Sequence, residues 1–210
     1  MKNVLIVGAG GFGREVYNYV EDCIKARVDW QIKGFLDDNL NALDNYEYPK
    51  PIVSSISDYI PEENDVFICG LGSPKVKKEV VEKLVSRGAK FETLVHPTAY
   101  VGRNVKIGTG CVVCPNCVLT CDNQLGDFVM LNVGTSVGHD AQISSWVTIS
   151  SHCDITGFVK IREGAFLASS VVVIPSSSVG EWATVGVNSS VIAKVRDNTT
   201  VYGNPALKLK

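Results

Sequence analysis

Histidine is scarce in this 210-residue chain, which has three, at positions 96, 139 and 152. An imidazole is the side chain best tuned to take up a proton near neutral pH. His139 is followed directly by Asp140, so one dipeptide carries a base and a carboxylate. A second constellation lies near the start, where Gly8, Gly10 and Gly13 spell G-x-G-x-x-G after an apolar run. Glycines at this spacing permit a tight turn and let backbone N–H groups approach a phosphate at a helix N-terminus. Asp37 ends the next apolar run and is placed to accept from a ribose hydroxyl. A third set, Cys111, Cys114, Cys117 and Cys121, has the spacing of an iron–sulfur ligand run.

These residues need elements to hold them, and the chain divides at about residue 94. In residues 1–94, Asn3–Val7, Gln31–Leu36, Ile52–Ser54 and Asp65–Cys69 read as strands. Gly13–Ala26 and a segment opened by Ser73-Pro74 and stopped near Gly88 read as helices. Strand–helix–strand alternation predicts a parallel sheet with crossover helices. The length suits one mononucleotide-binding half of a Rossmann-like fold, not the two halves of a dinucleotide site.

Residues 95–210 follow another rule. From Val95 every sixth residue is aliphatic, through Val101, Ile107, Val113 and Leu119 to Val185 and Val191. Four residues after most of these stands a small or β-branched residue, with Asn123 as the main exception. Neither a helical nor a plain strand period makes this register, and so short a repeat signals a solenoid. Three hexads, 18 residues, close one triangular coil, with the aliphatic residues filling its interior corners.

The register also sorts the candidate residues. Cys111 and Cys117 fall in successive small inward slots on neighbouring faces, and the proline expected after the fourth cysteine stands instead at 115. Small buried thiols explain these cysteines better than a cluster does. His139 lies two residues past Val137 and points outward. His152 falls on a different face, as a solvated or interface histidine, and His96 reads as structural at the junction of the halves.

Composition excludes other classes. A net charge of −2 gives no basic excess for nucleic acid or an anionic membrane. No apolar run reaches the roughly 20 residues of a membrane helix. The opening apolar stretch is ended by glycines and reads as a strand rather than a signal peptide. Seven cysteines without an export signal suggest reduced thiols and a cytoplasmic location.

The hexads and the tail Val201-Tyr202-Gly203-Asn204-Pro205-Ala206 resemble the hexapeptide-repeat acyltransferases, which fold as left-handed parallel β-helices. The run Gly8–Gly13 with Gly34-Phe35-Leu36-Asp37-Asp38 resembles the bacterial nucleotide-linked amino-sugar N-acetyltransferases of glycan and lipopolysaccharide biosynthesis; the sialic acid O-acetyltransferases share the layout. The resemblance implies a homotrimer with acetyl-CoA as co-substrate and no metal. It implies His139 as general base, with Asp140 raising its basicity. It places the nucleotide sugar, UDP- or dTDP-linked, on Gly10, Gly11, Phe12, Asp37, Asp38 and Gly72. Acetyl-CoA would meet Thr148, Gly157, Ser169 and Val187, with the Gly157 N–H donating to the thioester oxygen. Asp140 stands where the family usually has Glu, and Thr148 where it has a second His.

Three other readings compete. Sugar O-acetylation would use the same machinery. A zinc enzyme of the γ-carbonic-anhydrase kind needs three histidine ligands, and the 139/152 spacing does not suit it. A non-catalytic nucleotide-sugar sensor would keep the glycine turn and would not need His139-Asp140.

Overall fold

The computed structural model describes residues 1–209. Its front part is a four-stranded parallel sheet of β1 (Lys2–Val7), β2 (Trp30–Leu36), β3 (Ile52–Ser54) and β4 (Asp65–Cys69), in the order β3-β2-β1-β4. Helices α1 (Gly11–Lys25) and α2 (Pro74–Val85) cover it. Val4 to Val7 and all of β4 are buried, as befits parallel strands covered on both faces. Helix α1 starts at Gly11 with Gly10 as its N-cap, two residues before the expected Gly13. The glycine turn is therefore itself the start of the helix. Gly8 turns the chain at φ +94°, and a side chain on Gly13 would collide with the Gly8 carbonyl. Glycine at 13 lets α1 lie directly on the turn.

From Leu94 to Val191 the chain is a parallel β-helix of two-residue strands stacked 18 residues apart, as Gln124 pairs with Gln142; the last turn is shorter, with Thr184 pairing with Thr200, and a short antiparallel strand, Leu207–Lys208, closes the end. The coils make three faces. One begins with Leu94–Val95 and includes Met130–Leu131 and Thr148–Ile149; a second includes Ser136–Val137 and Asp154–Ile155; a third includes Gln142–Ile143 and Lys160–Ile161. Leu119, Leu131, Val137, Ile149 and Ile155 point inward and are fully buried, as the hexad register requires.

The small slots do more than avoid bulk. Cys111 Sγ donates to the Gly126 carbonyl at 3.1 Å, Cys117 Sγ to Asn132 at 3.2 Å, and Cys153 Sγ to Ala168 at 3.1 Å. Thr135 Oγ1 donates to Ser150 at 3.0 Å in the same way. Each donor serves a corner carbonyl 15 residues ahead that the strand ladder leaves over. Burial pushes the Cys111, Cys117 and Cys153 thiols up to about 11, so they are unreactive as nucleophiles near neutral pH.

Corners are turned by residues in the left-handed region, among them Asn104, Asn116, Asp122, Asp140, His152, Phe158 and Asn188. Asn and Asp tolerate this region best, because their short polar groups can bond locally.

The front part packs on the first solenoid face. Met130 and Thr148, which would otherwise face solvent, are buried there. The Nζ of Lys77 from α2 donates to Thr148 Oγ1 at 3.1 Å and to the Val147 carbonyl at 3.3 Å. Burial pulls this lysine down to about 8. His96 joins the two parts: it is buried, with Nδ1 2.9 Å from Thr98 Oγ1 and Nε2 3.3 Å from Asp22 Oδ2.

Candidate active site

His139 and Asp140 occupy the corner between the second and third faces, opposite the face that the front part covers. The left-handed backbone of Asp140, at φ 59°, turns its carboxylate back so that Oδ2 lies 2.9 Å from His139 Nδ1. That bond fixes one ring nitrogen and leaves Nε2 free to exchange a proton. The ring is held from the side by Phe158, edge-on with centroids 5.0 Å apart. Beneath it lies Gly157, one coil along. A Cβ at 157 would sit 2.7 Å from Nε2 and 2.8 Å from Cε1. Gly157 is buried and Gly138 packs on it so closely that a Cβ at 138 would reach within 2.8 Å of the Gly157 nitrogen. The two glycines stack two corner backbones and seat the imidazole over the second of them. Asn123, the exception in the hexad pattern, lies under the same corner, its Nδ2 donating to the Gly138 carbonyl at 2.6 Å. Asp122, one coil before, is held below its usual range chiefly by the Asn104 amide, with a smaller contribution from His139.

Ser169 and Val187 stack on a different corner, between the first and second faces. Ser169 is half-buried and Val187 is 50% exposed. His152 is exposed on that corner too, over Gly134. The second face separates this corner from His139, and its outward column exposes Tyr100, Val118 and Val172.

Thr148 is a correction. It is fully buried between the solenoid and α2, and its hydroxyl accepts from Lys77, so it has no surface on which to meet acetyl-CoA. The resemblance assigns it to acetyl-CoA, and nothing in the hexad register tells which face the front part covers.

At the front, Gly10 and Gly11 are exposed at the start of α1 with open space over them, and Phe12 is half-buried beside them. The first-turn N–H groups of α1 have no acidic side chain on them. Asp37 faces this turn, but its oxygens are engaged: Oδ2 accepts from the Ala9 N–H at 2.7 Å and Oδ1 from the Asn39 N–H at 2.9 Å. Asp38 Oδ1 accepts from Ser57 N–H at 3.2 Å. Asp37 therefore braces the glycine turn. Gly72 faces the solenoid, near Met130. Within one chain the glycine turn and His139 are not brought together. Sequence reasoning missed Lys77 and Phe158; it noticed Asn123 only as an irregularity.

Residues 3–84 match the PglD N-terminal domain family. The GDP-perosamine N-acetyltransferase of Escherichia coli O157:H7 is 28% identical over 216 residues, covering 98% of this chain and 95% of that protein. The UDP-N-acetylbacillosamine N-acetyltransferase of Bacillus subtilis (strain 168) is 33% identical over 117 residues, covering 54% of this chain and 51% of the relative. Among solved structures, the acetyltransferase domain of PglB from Neisseria gonorrhoeae FA1090, in complex with acetyl coenzyme A, shares the fold with a TM-score of 0.89 at 24% identity over 99% of each chain. A front part matching the PglD N-terminal domain family, an unbroken hexad β-helix behind it, and similarity nearly end to end to a known N-acetyltransferase mark this chain as an acetyltransferase.

Proposed function

We propose that the chain transfers an acetyl group from acetyl-CoA to the amine of a nucleotide-linked amino-deoxysugar, with His139 as general base. The observation that carries this reading is the seating of His139: Nδ1 is held by Asp140 at 2.9 Å and Nε2 stands over the backbone of Gly157. An ammonium ion has no lone pair with which to attack a thioester. Nε2 takes the amine proton as the nitrogen bonds to the acetyl carbon, and Asp140 stabilises the resulting imidazolium. The tetrahedral oxygen takes a hydrogen bond from a backbone N–H, for which Gly157 is positioned next to the base. The proton then passes to the departing thiolate of CoA.

The substrate class rests on the relatives. The one that spans the chain acts on GDP-perosamine and the partial one on a UDP sugar, so GDP stands beside UDP and dTDP as the nucleotide. In our reading the α1 N-terminus with Gly10, Gly11 and Phe12 receives the diphosphate, and Asp37, Asp38 and Gly72 shape its surroundings.

The site is completed between copies of the chain. His139 with Gly157 and Ser169 with Val187 stand on two corners flanking one face, and that face exposes Tyr100, Val118 and Val172. A homotrimer packed through it sets the Ser169 corner of one copy against the His139 corner of the next, with acetyl-CoA between them. Release of CoA thiol is followed with acetyl-CoA and a panel of GDP-, UDP- and dTDP-linked amino sugars, with light scattering for the assembly. Turnover of one such sugar by a trimer is expected. Turnover of hydroxyl-bearing sugars alone would transfer the reading to O-acetylation, and a stable monomer at micromolar concentration would overturn the shared site.

A further inference from the structure

We propose that Asn123 is a positioning residue for His139, acting through the Gly138 carbonyl. This inference rests on the reading of His139 as the base.

Asn123 occupies one of the small inward slots of the β-helix and is fully buried. In the comparable slots at 111, 117, 135 and 153 the chain uses cysteine or threonine, each with a single weak or neutral donor at 3.0–3.2 Å from its corner carbonyl. Slots at 129, 141 and 147 hold Val or Ala and donate nothing. Only at 123 is the slot filled by a carboxamide, and only there does an N–H reach the carbonyl, at 2.6 Å. The amide brings a second polar atom with it. Asn123 Oδ1 is the one buried side-chain N or O atom among the described residues without a hydrogen-bond partner. Burying an unpaired carbonyl oxygen is unfavourable, and a threonine in the slot would avoid it. The carbonyl so held belongs to the residue immediately before His139.

The consequence is local rigidity. The Gly138 peptide is pinned on three sides: its N–H donates to the Ile155 carbonyl at 2.6 Å, its Cα lies against the Gly157 backbone, and its carbonyl is held from inside by Asn123. The His139 peptide unit begins at that carbonyl. Rotation of this plane would swing the imidazole off Gly157, and a base misplaced by about 1 Å loses rate steeply. Asn123 thus sets where Nε2 stands without touching a substrate.

The test compares Asn123→Thr with Asn123→Val. Both side chains are native to this kind of slot, at 135 and 129, and they differ only in whether a hydroxyl can donate to the carbonyl. Asn123→Thr is expected to keep kcat within about threefold of wild type. Asn123→Val is expected to lose about 10- to 100-fold in kcat, with KM for acetyl-CoA and for the nucleotide sugar within about twofold. Cys111→Ala, which removes the matching donor at a corner away from His139, is expected to leave kcat unchanged. Equal kcat for the Thr and Val variants would overturn the proposal, as would a loss confined to KM. His139→Ala, assayed beside them, separates the two ideas. If it keeps full turnover, the reading of the base has failed; if it is inactive while the Thr and Val variants are alike, only the role of Asn123 has failed.

Discussion

The Nε2 of His139 stands directly over the Cα of Gly157, so near that a methyl group there would lie 2.7 Å from it. The tight contact is with the end of a rotatable side chain, and Gly157 does not sit in the left-handed region. Gly157→Ala should therefore fold, assemble and melt close to wild type. It should push the imidazole aside and cost about 10²-fold in kcat, the usual penalty for a misplaced reacting group. Circular dichroism and steady-state kinetics on one preparation check both halves. Unchanged kcat would mean that the imidazole need not stand over Gly157 for turnover.

His139 and Asp140 should contribute unequally. His139→Ala removes the proton acceptor and should lower kcat by about 10²–10⁴, with the assembly intact because the side chain faces outward. Asp140→Asn keeps an oxygen near Nδ1 and loses the charge. Both side chains are about half exposed, at 53% and 45%, so water screens the pair. We expect a loss of only about three- to tenfold in kcat, read by steady-state kinetics beside His139→Ala. A loss matching that of His139→Ala would show Asp140 to be doing more than supporting the ring.

Much of this was readable from the residue order. A sixfold aliphatic register over some hundred residues admits only a coil of three short strands, and Leu119, Leu131 and Val137 point where that rule sends them. The outward direction of His139 follows from its place two residues beyond Val137. The register could not tell which face the front part covers, because docking depends on surface shape at both partners. Thr148 shows the result: the resemblance assigns it to acetyl-CoA, and its burial under Lys77 was not legible. Nor could a small-residue pattern announce Asn123, since the carbonyl it serves comes near only when two coils stack.

Asp37 braces the glycine turn through Ala9 and Asn39, so its loss should be felt at the nucleotide and not at acetyl-CoA. Asp37→Ala frees the part-buried Ala9 N–H and the exposed Asn39 N–H and loosens the start of α1. Loss of a hydrogen bond to a charged acceptor costs about 1.5–3 kcal/mol. The KM for the nucleotide sugar should rise about ten- to a hundredfold while that for acetyl-CoA stays within about twofold. Equal rises in both would show that the front part does not hold the nucleotide.

Lys77 should make the docking of the two parts sensitive to pH. It is buried where α2 meets the solenoid, bonded to Thr148 Oγ1 and the Val147 carbonyl, and burial pulls it down to about 8. In the unfolded chain it titrates near 10.4. Below pH 8 both states carry the proton, and the folded state bears the whole cost of a buried ammonium. Between pH 8 and 10.4 the unfolded chain binds the proton and the folded chain does not, so the lysine's contribution to stability rises with pH across that window. A gap of this size corresponds to about 3 kcal/mol. Cys111 beside it is pushed up to about 11 by burial and acts in the opposite sense, holding its proton better when folded. The informative quantity is therefore the difference between wild type and Lys77→Met, measured by urea unfolding from pH 7 to 10.5. Lys77→Met should be at least as stable as wild type at pH 7, because methionine carries no buried charge and the hydrogen bonds it forgoes are worth about 1 kcal/mol each. Its advantage should shrink steadily toward pH 10.5 and turn into a deficit there. A difference that stays flat with pH would mean that water reaches Lys77 and that the interface is looser than its burial suggests.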